Sequence, residues 1–372
     1  MNADTYVVPG LAVVVVSREV ATPVRRSIEF QLGYFLTPEN FTIAAEMARI
    51  SVAPYARFEG AAEAAQFHGA RGTRGRVLDH RSARHATVRT PAGFDVYTDS
   101  PEVLIILLLQ TLALQRGVSF LHAAGWSDAR GDATLLPGPG GVGKTALLTA
   151  AVLRHGAKLL GDDLVLIGRD AEAKAFPRAF VLKEYHRALV PEAFAAAEAE
   201  ARNRVGRLRP LVKFLRENAP LHGLTKSIFG KMGRLERTSL WLQERSTSPE
   251  FLTVPVTRLF GTKSVAPGGR VRRVVYIERC EGTEFRRLTL AADEVVRRSL
   301  AVLHHEWADY LRWFCALGAM EIVDLGGHFR DTETVMRTAF AEADVSLFQV
   351  PVAATPEELE RAFADFVGFE TG

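Results

Sequence analysis

The stretch GPGGVGKTALL, residues 138–148, is a glycine-rich loop that runs into an apolar segment. Its first eight residues satisfy the pattern G-x-x-x-x-G-K-[ST] in full. Glycines in this pattern allow the backbone to curl with its N–H groups pointing inward, where those groups and the dipole of the following helix hold a phosphate. The pattern predicts a phosphate-binding loop formed by Gly138, Gly140, Gly141, Val142, Gly143, Lys144, Thr145 and Ala146.

Two side chains of this loop carry the expected chemistry. Lys144 would bridge the β- and γ-phosphate oxygens of a nucleotide, and the Thr145 hydroxyl would ligate Mg²⁺. The alternative is a glycine-rich turn that binds nothing. Residues 133–138 predict a strand before the loop and residues 145–155 predict a helix after it, which is the context that the motif requires. The sequence therefore favours a site for ATP and Mg²⁺.

An acidic pair follows the loop. Asp162 and Asp163 come at the end of a short strand predicted over residues 158–160, and Asp162 lies eighteen residues after Lys144. A strand beside the loop would bring one or both carboxylates towards the γ-phosphate, where one can hold Mg²⁺ through water and the other can accept a proton from an incoming hydroxyl. An Asp pair alone is more often a turn, so the prediction depends on its distance from the loop.

The remaining pattern predicts an α/β fold built from several parts. Residues 1–95 alternate strand-like runs with polar turns, which indicates a small β-rich amino-terminal domain. Residues 96–320 are predicted to form the nucleotide-binding domain, with a helical basic insertion at residues 190–250. Residues 321–372 are predicted to be an α/β extension that packs on this core.

Hydrophobic periodicity and end signals set the individual elements. The polar turn SDARGD between two apolar runs indicates a hairpin. The predicted strands cover residues 11–16, 50–53, 86–89, 119–126, 133–138, 252–260 and 273–278, and the predicted helices cover 41–48, 100–116 with Ser100 as N-cap, 145–155, 191–201, 291–317 and 355–367.

The composition is that of an ordinary globular protein. Of 372 residues, 48% are hydrophobic and 24% charged, and the net charge of +3 is too small to argue for nucleic acid or an anionic membrane as partner. Cys280 and Cys315 lack metal-ligand spacing and are predicted to be reduced core thiols. Because no basic leader precedes the first apolar run, and because the run at residues 103–114 is too short to span a bilayer, we expect a cytoplasmic protein.

Charge is concentrated in one segment. Residues 202–245 hold eleven Lys and Arg against three acidic residues, with Phe214, Phe229 and Trp241 among them. Three interpretations remain open: a helical pair with a solvated basic face, a docking surface for an anionic acceptor or acidic peptide, and an RNA-binding surface.

The order of these motifs resembles a known family. LHAA at residues 121–124, a hairpin, GPGGVGKT, a helix ending at Gly156 and then LLGDD follow one another as in the catalytic core of HPr kinase/phosphorylase and its relatives. Residues 272–303 are similar to the strand and helix near the end of such kinase-like domains. The resemblance covers residues 100–305 with gaps, and its specific part is residues 119–167.

The resemblance implies both a fold and a reaction. It implies an HPr kinase/phosphoenolpyruvate carboxykinase-like core that transfers the γ-phosphoryl group of ATP, with Mg²⁺, to a hydroxyl. It also implies that Asp162 deprotonates that hydroxyl, that Asp163 helps to hold Mg²⁺, and that His122 lies near the transferred phosphate. For His122 the alternative is a histidine hydrogen-bonded within the fold. Lys183 and Lys263 occupy places where related kinases carry cations facing phosphate, and exposed, solvated lysines are the alternative.

Three departures separate the chain from HPr kinases proper. Ala146 stands where those enzymes carry an acidic residue, and the amino-terminal region differs. Their second signature, the stretch that supports reverse phosphorolysis, has no counterpart in this sequence. Reverse phosphorolysis is therefore not expected. The chain looks closer to divergent relatives found with biosynthetic genes, so the predicted acceptor is the hydroxyl of a small molecule or peptide, anionic if the basic insertion docks it. The resemblance leaves a homo-oligomer open.

Two other functions remain open at this point. A nucleotide-gated binding protein or ATPase would use ATP to close the basic insertion on an anionic partner, with hydrolysis incidental. A carboxykinase-like enzyme would phosphorylate a carboxylate or an enol. The ancestry that HPr kinases share with phosphoenolpyruvate carboxykinase allows this reaction. Acceptor-dependent ADP production separates the first from a kinase, and the stability of the product towards hydroxylamine separates the second.

Overall fold

The computed structural model describes residues 3–38, 47–60, 65–100, 104–182, 184–187, 190–205 and 252–367. These residues form a mixed α/β fold, as the sequence predicted. The chain divides into a larger unit, Met1–Ala179 with Pro255–Gly372, and a smaller unit, Phe180–Val254. The domain boundaries expected at residues 95 and 320 stay predictions. Most of the basic insertion lies outside the described residues, and so does most of the helix expected at 41–48. The docking and RNA-binding interpretations of the insertion therefore stay predictions.

The first sheet of the larger unit contains eight described strands. Their order is β1-β2-β3-β8-β7-β6-β5-β4, in which β2, β3 and β8 are parallel and the other neighbours antiparallel. The predicted strands at residues 11–16, 50–53 and 86–89 are confirmed. The strands are β1 Ala3–Val8, β2 Ala12–Ser17, β3 Ala48–Ala53, β4 Ala65–Phe67, β5 Ala70–Thr73, β6 Val77–His80, β7 His85–Thr90 and β8 Gly93–Thr98.

A helix that the sequence analysis missed follows β2. This helix, α1, spans Thr22–Leu32 with a proline in its first turn, where the missing N–H costs nothing. Its buried residues are Val24, Ile28, Gln31 and Leu32, which is the spacing of one helix face. Polar Gln31 therefore occupies a position that the core face normally fills with an apolar side chain.

The segment after the first sheet leads to the phosphate loop. The helix expected from Ser100 begins at Ile105, and residues 101–103 lie outside the described part. The hairpin is confirmed, since Ala123 pairs antiparallel with Pro137. His122 separates two strands where one was predicted. The elements are α2 Ile105–Leu114, β9 Val118–Leu121, β10 Ala123–Ser127, β11 Asp132–Pro137, α3 Lys144–Arg154, β12 Lys158–Gly161, β13 Val165–Gly168 and β14 Glu172–Lys174.

The smaller unit is described in part. Its strands β15, Phe180–Leu182, and β16, Leu252–Val254, pair antiparallel, and between them lies helix α4, Pro191–Val205. The strand predicted over residues 252–260 is wrong beyond Val254. Pro255 has no N–H for a sheet and has its φ fixed at −56°, so it begins a helix instead.

The remaining elements complete the larger unit. The helix predicted over residues 291–317 is two helices, because the backbone leaves helical geometry at Trp307. The predicted capping box is confirmed, with Thr355 and Glu358 each accepting the other's backbone N–H. The elements are α5 Val256–Phe260, β17 Gly268–Cys280, β18 Arg286–Thr289, α6 Ala292–Glu306, α7 Ala308–Ala319, α8 Leu325–Phe340, β19 Asp344–Pro351 and α9 Pro356–Val367.

The second sheet positions the loop. Its order is β12-β10-β11-β17-β14-β13-β9, with β19 beside β17 and β18 beside β19. β11 and β17 run parallel, and the loop leaves β11 next to Ile277 of β17. Gly138 has a φ of +156°, and a Cβ there would lie 2.3 Å from the Ile277 carbonyl oxygen, so the first loop position accepts only glycine.

Helix α1 connects the two sheets at one point. The Phe30 carbonyl accepts the N–H of Ala179 at 3.0 Å, and the Arg178 guanidinium lies 5.0 Å from the Phe30 ring centre. Phe35 packs on Phe176 with ring centres 5.3 Å apart. The amino-terminal helix is thereby held against residues 176–179, the segment after β14 that contains Arg178, and Arg178 in turn pairs with Asp163.

Two smaller expectations can be compared with the structure. Cys315 is exposed and Cys280 half-buried, so the prediction of two core thiols is wrong. Within the described ranges, every helix is either too short or too polar to cross a bilayer.

Candidate functional site

The phosphate loop has the backbone geometry that its glycines allow. Gly141 and Gly143 have φ values of +80° and +106°, in the left-handed region. Gly143 is the N-cap residue, and α3 begins at Lys144. The N–H groups of the first helical turn therefore face the loop, where a phosphate finds both donors and the positive end of the helix dipole.

The carboxy-terminal helix supports the loop from the side of α3. A Cβ on Gly143 would lie 2.3 Å from Cδ2 of Leu359 in α9, and the φ of +106° at this position also disfavours any other residue. Arg154 at the end of α3 forms an ion pair with Glu360 at 2.5 Å. Residues beyond the predicted kinase domain thus take part in shaping its loop.

Lys144 is buried within the loop it belongs to. Its Nζ donates to the carbonyl oxygens of Gly138 at 2.6 Å and Pro139 at 2.8 Å, and lies 3.4 Å from Nε2 of His122. An ammonium group has only donors, so Nε2 is the acceptor in this contact and the His122 proton is on Nδ1. His122 thus contacts the loop lysine, and its predicted position near a transferred phosphate stays a prediction.

The Thr145 hydroxyl meets the first acidic residue. Its Oγ1 lies 3.1 Å from both Oδ1 and Oδ2 of Asp162. The sequence analysis expected a strand beside the loop, but β10 lies between β11 and β12. The contact still forms, because Asp162 follows the end of β12 and Thr145 is in the first turn of α3.

The environment of Asp162 favours its protonated form. Burial raises the pKa of Asp162 to about 6, and the neighbouring carboxylate of Asp163 contributes to the rise. The hydrogen bond from Thr145 and the charges of Lys144 and Arg178 oppose this shift but do not cancel it. A carboxylate with a pKa near neutrality can both accept and release a proton.

This shift predicts a stability effect. Because the folded pKa of about 6 lies above the unfolded value of 3.8, ionising Asp162 destabilises the fold as pH rises between these values. We expect Asp162→Asn to stabilise the nucleotide-free protein above pH 6 by up to about 3 kcal/mol, or several degrees in Tm. The gain should disappear near pH 4. Thermal unfolding at pH 8 and pH 4 measures both, and a gain that does not depend on pH would contradict this origin.

The second acidic residue lies on the other side of His122. Asp163 has a φ of +73°, unusual outside glycine but tolerated by Asp. Its Oδ1 lies 3.3 Å from Nδ1 of His122, and its Oδ2 accepts from the Arg178 guanidinium. Burial lowers the pKa of His122, and Asp163 opposes the shift. A neutral imidazole therefore connects Lys144 to the Asp163–Arg178 pair.

Two clefts flank the loop. The first, here called the His122 cleft, has a volume of about 210 Å³ and includes His122, Asp163, Arg178, Gln31 and Glu306 in its lining. The second, here called the Tyr276 cleft, has a volume of about 520 Å³ and is lined by Pro139, Gly140, Tyr276, Arg298, Ala301, Val302, His305 and Glu306. The loop thus lies between a small cleft and a larger one.

The residues present fit a magnesium ion. Among the described residues, no group of three or more His, Cys, Asp or Glu could hold a metal by itself. Mg²⁺ is commonly held by one or two carboxylates together with substrate phosphates, so a protein contribution of this size is sufficient. Thr145, Asp162 and Asp163 carry the side-chain oxygens that could bind Mg²⁺ here.

Three cleft residues were missed by the sequence analysis. Gln31, Arg178 and Glu306 come from distant parts of the chain and belong to no motif. Only Gln31 carried a signal, as a polar residue on the apolar face of an amphipathic helix. Lys183 lies outside the described residues. Lys263 lies exposed in the turn Thr262–Ser264, away from the linings of the two clefts, and its proposed contact with phosphate stays a prediction.

Comparisons with known proteins give a distant likeness. No family model and no curated protein matches the sequence. Among solved structures, the chain is similar to the Hpr(Ser) kinase/phosphatase from Coxiella burnetii, with 10% sequence identity and a TM-score of 0.27, over 68% of this chain and 99% of that chain.

Proposed function

We propose that this protein is a kinase that transfers the γ-phosphoryl group of ATP to a hydroxyl of a small molecule or peptide. The observation that carries the proposal is the contact of Lys144 and Thr145, in a phosphate loop, with His122 and Asp162 at the edge of a small cleft. A biosynthetic role belongs to the same proposal.

The two clefts have different proposed occupants. The Tyr276 cleft adjoins the first loop residues, Pro139 and Gly140, and its volume of about 520 Å³ suits a nucleoside. The His122 cleft, at about 210 Å³, is too small for a nucleoside with its phosphates and suits an acceptor. The acceptor and the nucleoside then approach the transferred group from different sides, as in-line displacement requires.

The chain's own groups supply position and charge. Lys144 moves from the loop carbonyls to the phosphate oxygens and offsets the charge that develops on them. Mg²⁺, when bound through Thr145 and the acidic pair, neutralises phosphate charge. Asp162 accepts the proton of the acceptor hydroxyl as the bond to phosphorus forms. His122, neutral and held by Asp163, orients the acceptor side of the site.

Two assignments of base and magnesium ligand are compatible with the contacts of Asp162 and Asp163. The raised pKa of Asp162 supports this residue as the base, with Asp163 as a ligand of Mg²⁺. The contact of Asp162 with Thr145 supports the opposite assignment, since ligands of one cation lie close to each other. In that case Asp163, which lines the His122 cleft, takes the proton. We adopt the first assignment, and the carboxylate variants discriminate between the two.

A screen by mass spectrometry tests the proposed activity. Purified protein, ATP and Mg²⁺ are incubated with a pool of hydroxyl metabolites and short peptides. We expect one compound class to gain the mass of a phosphoryl group, and the gain to be absent with Lys144→Met. The product should withstand hydroxylamine, because a phosphate ester is stable there and an acyl phosphate is not.

Two outcomes would contradict the kinase. Tight ATP binding with no acceptor-dependent ADP would favour a nucleotide-gated binding protein, and the search would move to macromolecular partners. A product that hydroxylamine destroys would favour a carboxykinase-like reaction on a carboxylate. If Lys144→Met still added the mass of a phosphoryl group to a compound, the loop would have no part in the mechanism.

A further inference from the structure

Two side chains that line the His122 cleft each hold a buried polar atom with no partner among the described residues. These atoms are the amide oxygen Oε1 of Gln31 and Nε of Arg178. Gln31 is 6% exposed, and the Arg178 side chain is 16% exposed. Burying an acceptor or a donor without a partner is costly, and each such group in a native fold needs a reason. Both atoms belong to side chains that line one cavity, which points to a ligand.

Gln110, a second buried glutamine, has a structural role and serves as a comparison for Gln31. Gln110 of α2 donates from Nε2 to the hydroxyls of Ser119 at 2.9 Å and Thr332 at 3.1 Å. Its Oε1 accepts the N–H of Phe120 at 2.8 Å. Gln110 thus joins α2 to β9 and α8 with both ends of its amide in use. Gln31 has a free carbonyl end instead, so structural bonding does not account for its place on the core face of α1.

The other walls of the cleft combine the Glu306 side chain with six apolar or aromatic side chains. A volume of about 210 Å³ equals the liquid volume of about seven water molecules, which is the size of one amino acid. Four aliphatic and two aromatic residues surround this space, namely Leu104, Ile106, Leu107, Leu164, Trp307 and Tyr310. Such a lining favours a ligand with an apolar body and few, well-placed polar groups.

The polar groups have a definite arrangement of donors and acceptors. Gln31 Oε1 needs an N–H or O–H from the ligand, and Arg178 Nε needs an oxygen. Arg178 also pairs with Asp163, so the oxygen-binding end of the cleft is next to the acidic pair and His122. A hydroxyl placed at this end is close to the groups that would act on it.

We propose that the His122 cleft binds the acceptor, an amino-acid-sized and partly apolar hydroxyl compound that donates an N–H or O–H to Gln31 and offers an oxygen to Arg178. This inference rests on the proposed kinase function and names its substrate class. An amino acid with a hydroxyl side chain has all of these groups. It can be free or part of a short peptide, and the two share the same recognition chemistry.

Binding measurements without nucleotide test the cleft apart from the reaction. The probes are free L-threonine and L-tyrosine, each residue within a capped five-residue peptide, and glycerol as a polar compound that should not bind. Calorimetry and ligand-observed NMR on the full chain give the affinities. We expect at least one amino-acid probe to bind, and the difference between its free and peptide forms to identify the source.

Variants connect the binding to the two unpaired atoms. Gln31→Met keeps the length of the side chain and removes the carbonyl, so we expect at least about fivefold weaker binding with a Tm no lower than that of the parent. Arg178→Lys keeps a positive charge near Asp163, removes Nε and should weaken binding similarly. Gln66→Met, on an exposed position of β4, is the matched control and should leave binding unchanged.

The outcomes separate this inference from the kinase proposal. The assignment of the cleft is overturned if no amino-acid probe binds, or if neither Gln31→Met nor Arg178→Lys changes the affinity of the probe that does. This holds even where the protein phosphorylates another compound. If a probe binds through Gln31 and is never phosphorylated with ATP and Mg²⁺, the cleft assignment stands and the kinase proposal fails.

Discussion

Lys144→Met should reduce phosphoryl transfer by about a thousandfold or more, while the protein keeps its fold. The lysine is the positive group of the loop, and removing a preorganised charge or donor from a phosphoryl-transfer site typically costs two to five powers of ten in rate. Methionine keeps the apolar stem and removes only the ammonium group. The measurement is acceptor-dependent ADP production at saturating ATP, with the acceptor found by the mass-spectrometric screen.

The controls for Lys144→Met come from the structure. Lys144 Nζ donates to the carbonyls of Gly138 and Pro139 and lies beside Nε2 of His122. Thermal unfolding of Lys144→Met therefore has to show that the protein stays folded without these contacts. Lys158→Met changes an exposed lysine at the start of β12 and should have no effect on rate. Transfer by Lys144→Met within tenfold of the parent would contradict the proposed use of the loop.

The sequence predicts the centre of this site better than its walls. The glycine loop, Lys144, Thr145 and the acidic pair are consecutive in short segments, and their backbone conformations are dictated locally by glycine and by the start of α3. The structure accordingly places Thr145 on Asp162 and Lys144 beside His122. The spacing of the loop and the acidic pair led to the contact of Thr145 with Asp162, although the strand order that produces it was different from the expected one. The position of His122 was expected only from the resemblance to HPr kinases.

The walls depend on tertiary packing. Gln31, Arg178 and Glu306 meet because α1 packs on the segment after β14 and because α6 ends near the loop, and no local pattern encodes such encounters. Element ends show the same limit. Pro255 turned a predicted strand into a helix, and Trp307 divided one predicted helix into two, although the apolar periodicity continues through both positions.

Asp162→Asn should reduce kcat by two to four powers of ten and leave nucleotide binding unchanged. Asparagine keeps the size of the side chain and an oxygen for the Thr145 hydroxyl, but it cannot accept a proton at working pH. Since the same variant should raise Tm at pH 8, a loss of activity would come with a gain of stability. Misfolding is thereby excluded as its cause.

The pH profile identifies the role. For the parent enzyme we expect kcat/KM to rise with pH around a midpoint near 6, because only ionised Asp162 can take the proton and its pKa is raised to about 6. This limb should be absent from Asp162→Asn. A limb that persists unchanged in the variant would assign the titration to another group and remove Asp162 as the base.

Magnesium dependence distinguishes the two carboxylates. If Asp162 is the base, Asp162→Asn lowers kcat at every Mg²⁺ concentration, and Asp163→Asn mainly raises the Mg²⁺ concentration needed for half-maximal rate. If the contact of Asp162 with Thr145 marks a shared cation, the pattern is reversed: excess Mg²⁺ partly rescues Asp162→Asn, and Asp163→Asn lowers kcat at every Mg²⁺ concentration. Each carboxylate variant thus serves as the matched control of the other, because the two side chains are adjacent and equally charged but face different partners, Thr145 in one case and His122 with Arg178 in the other.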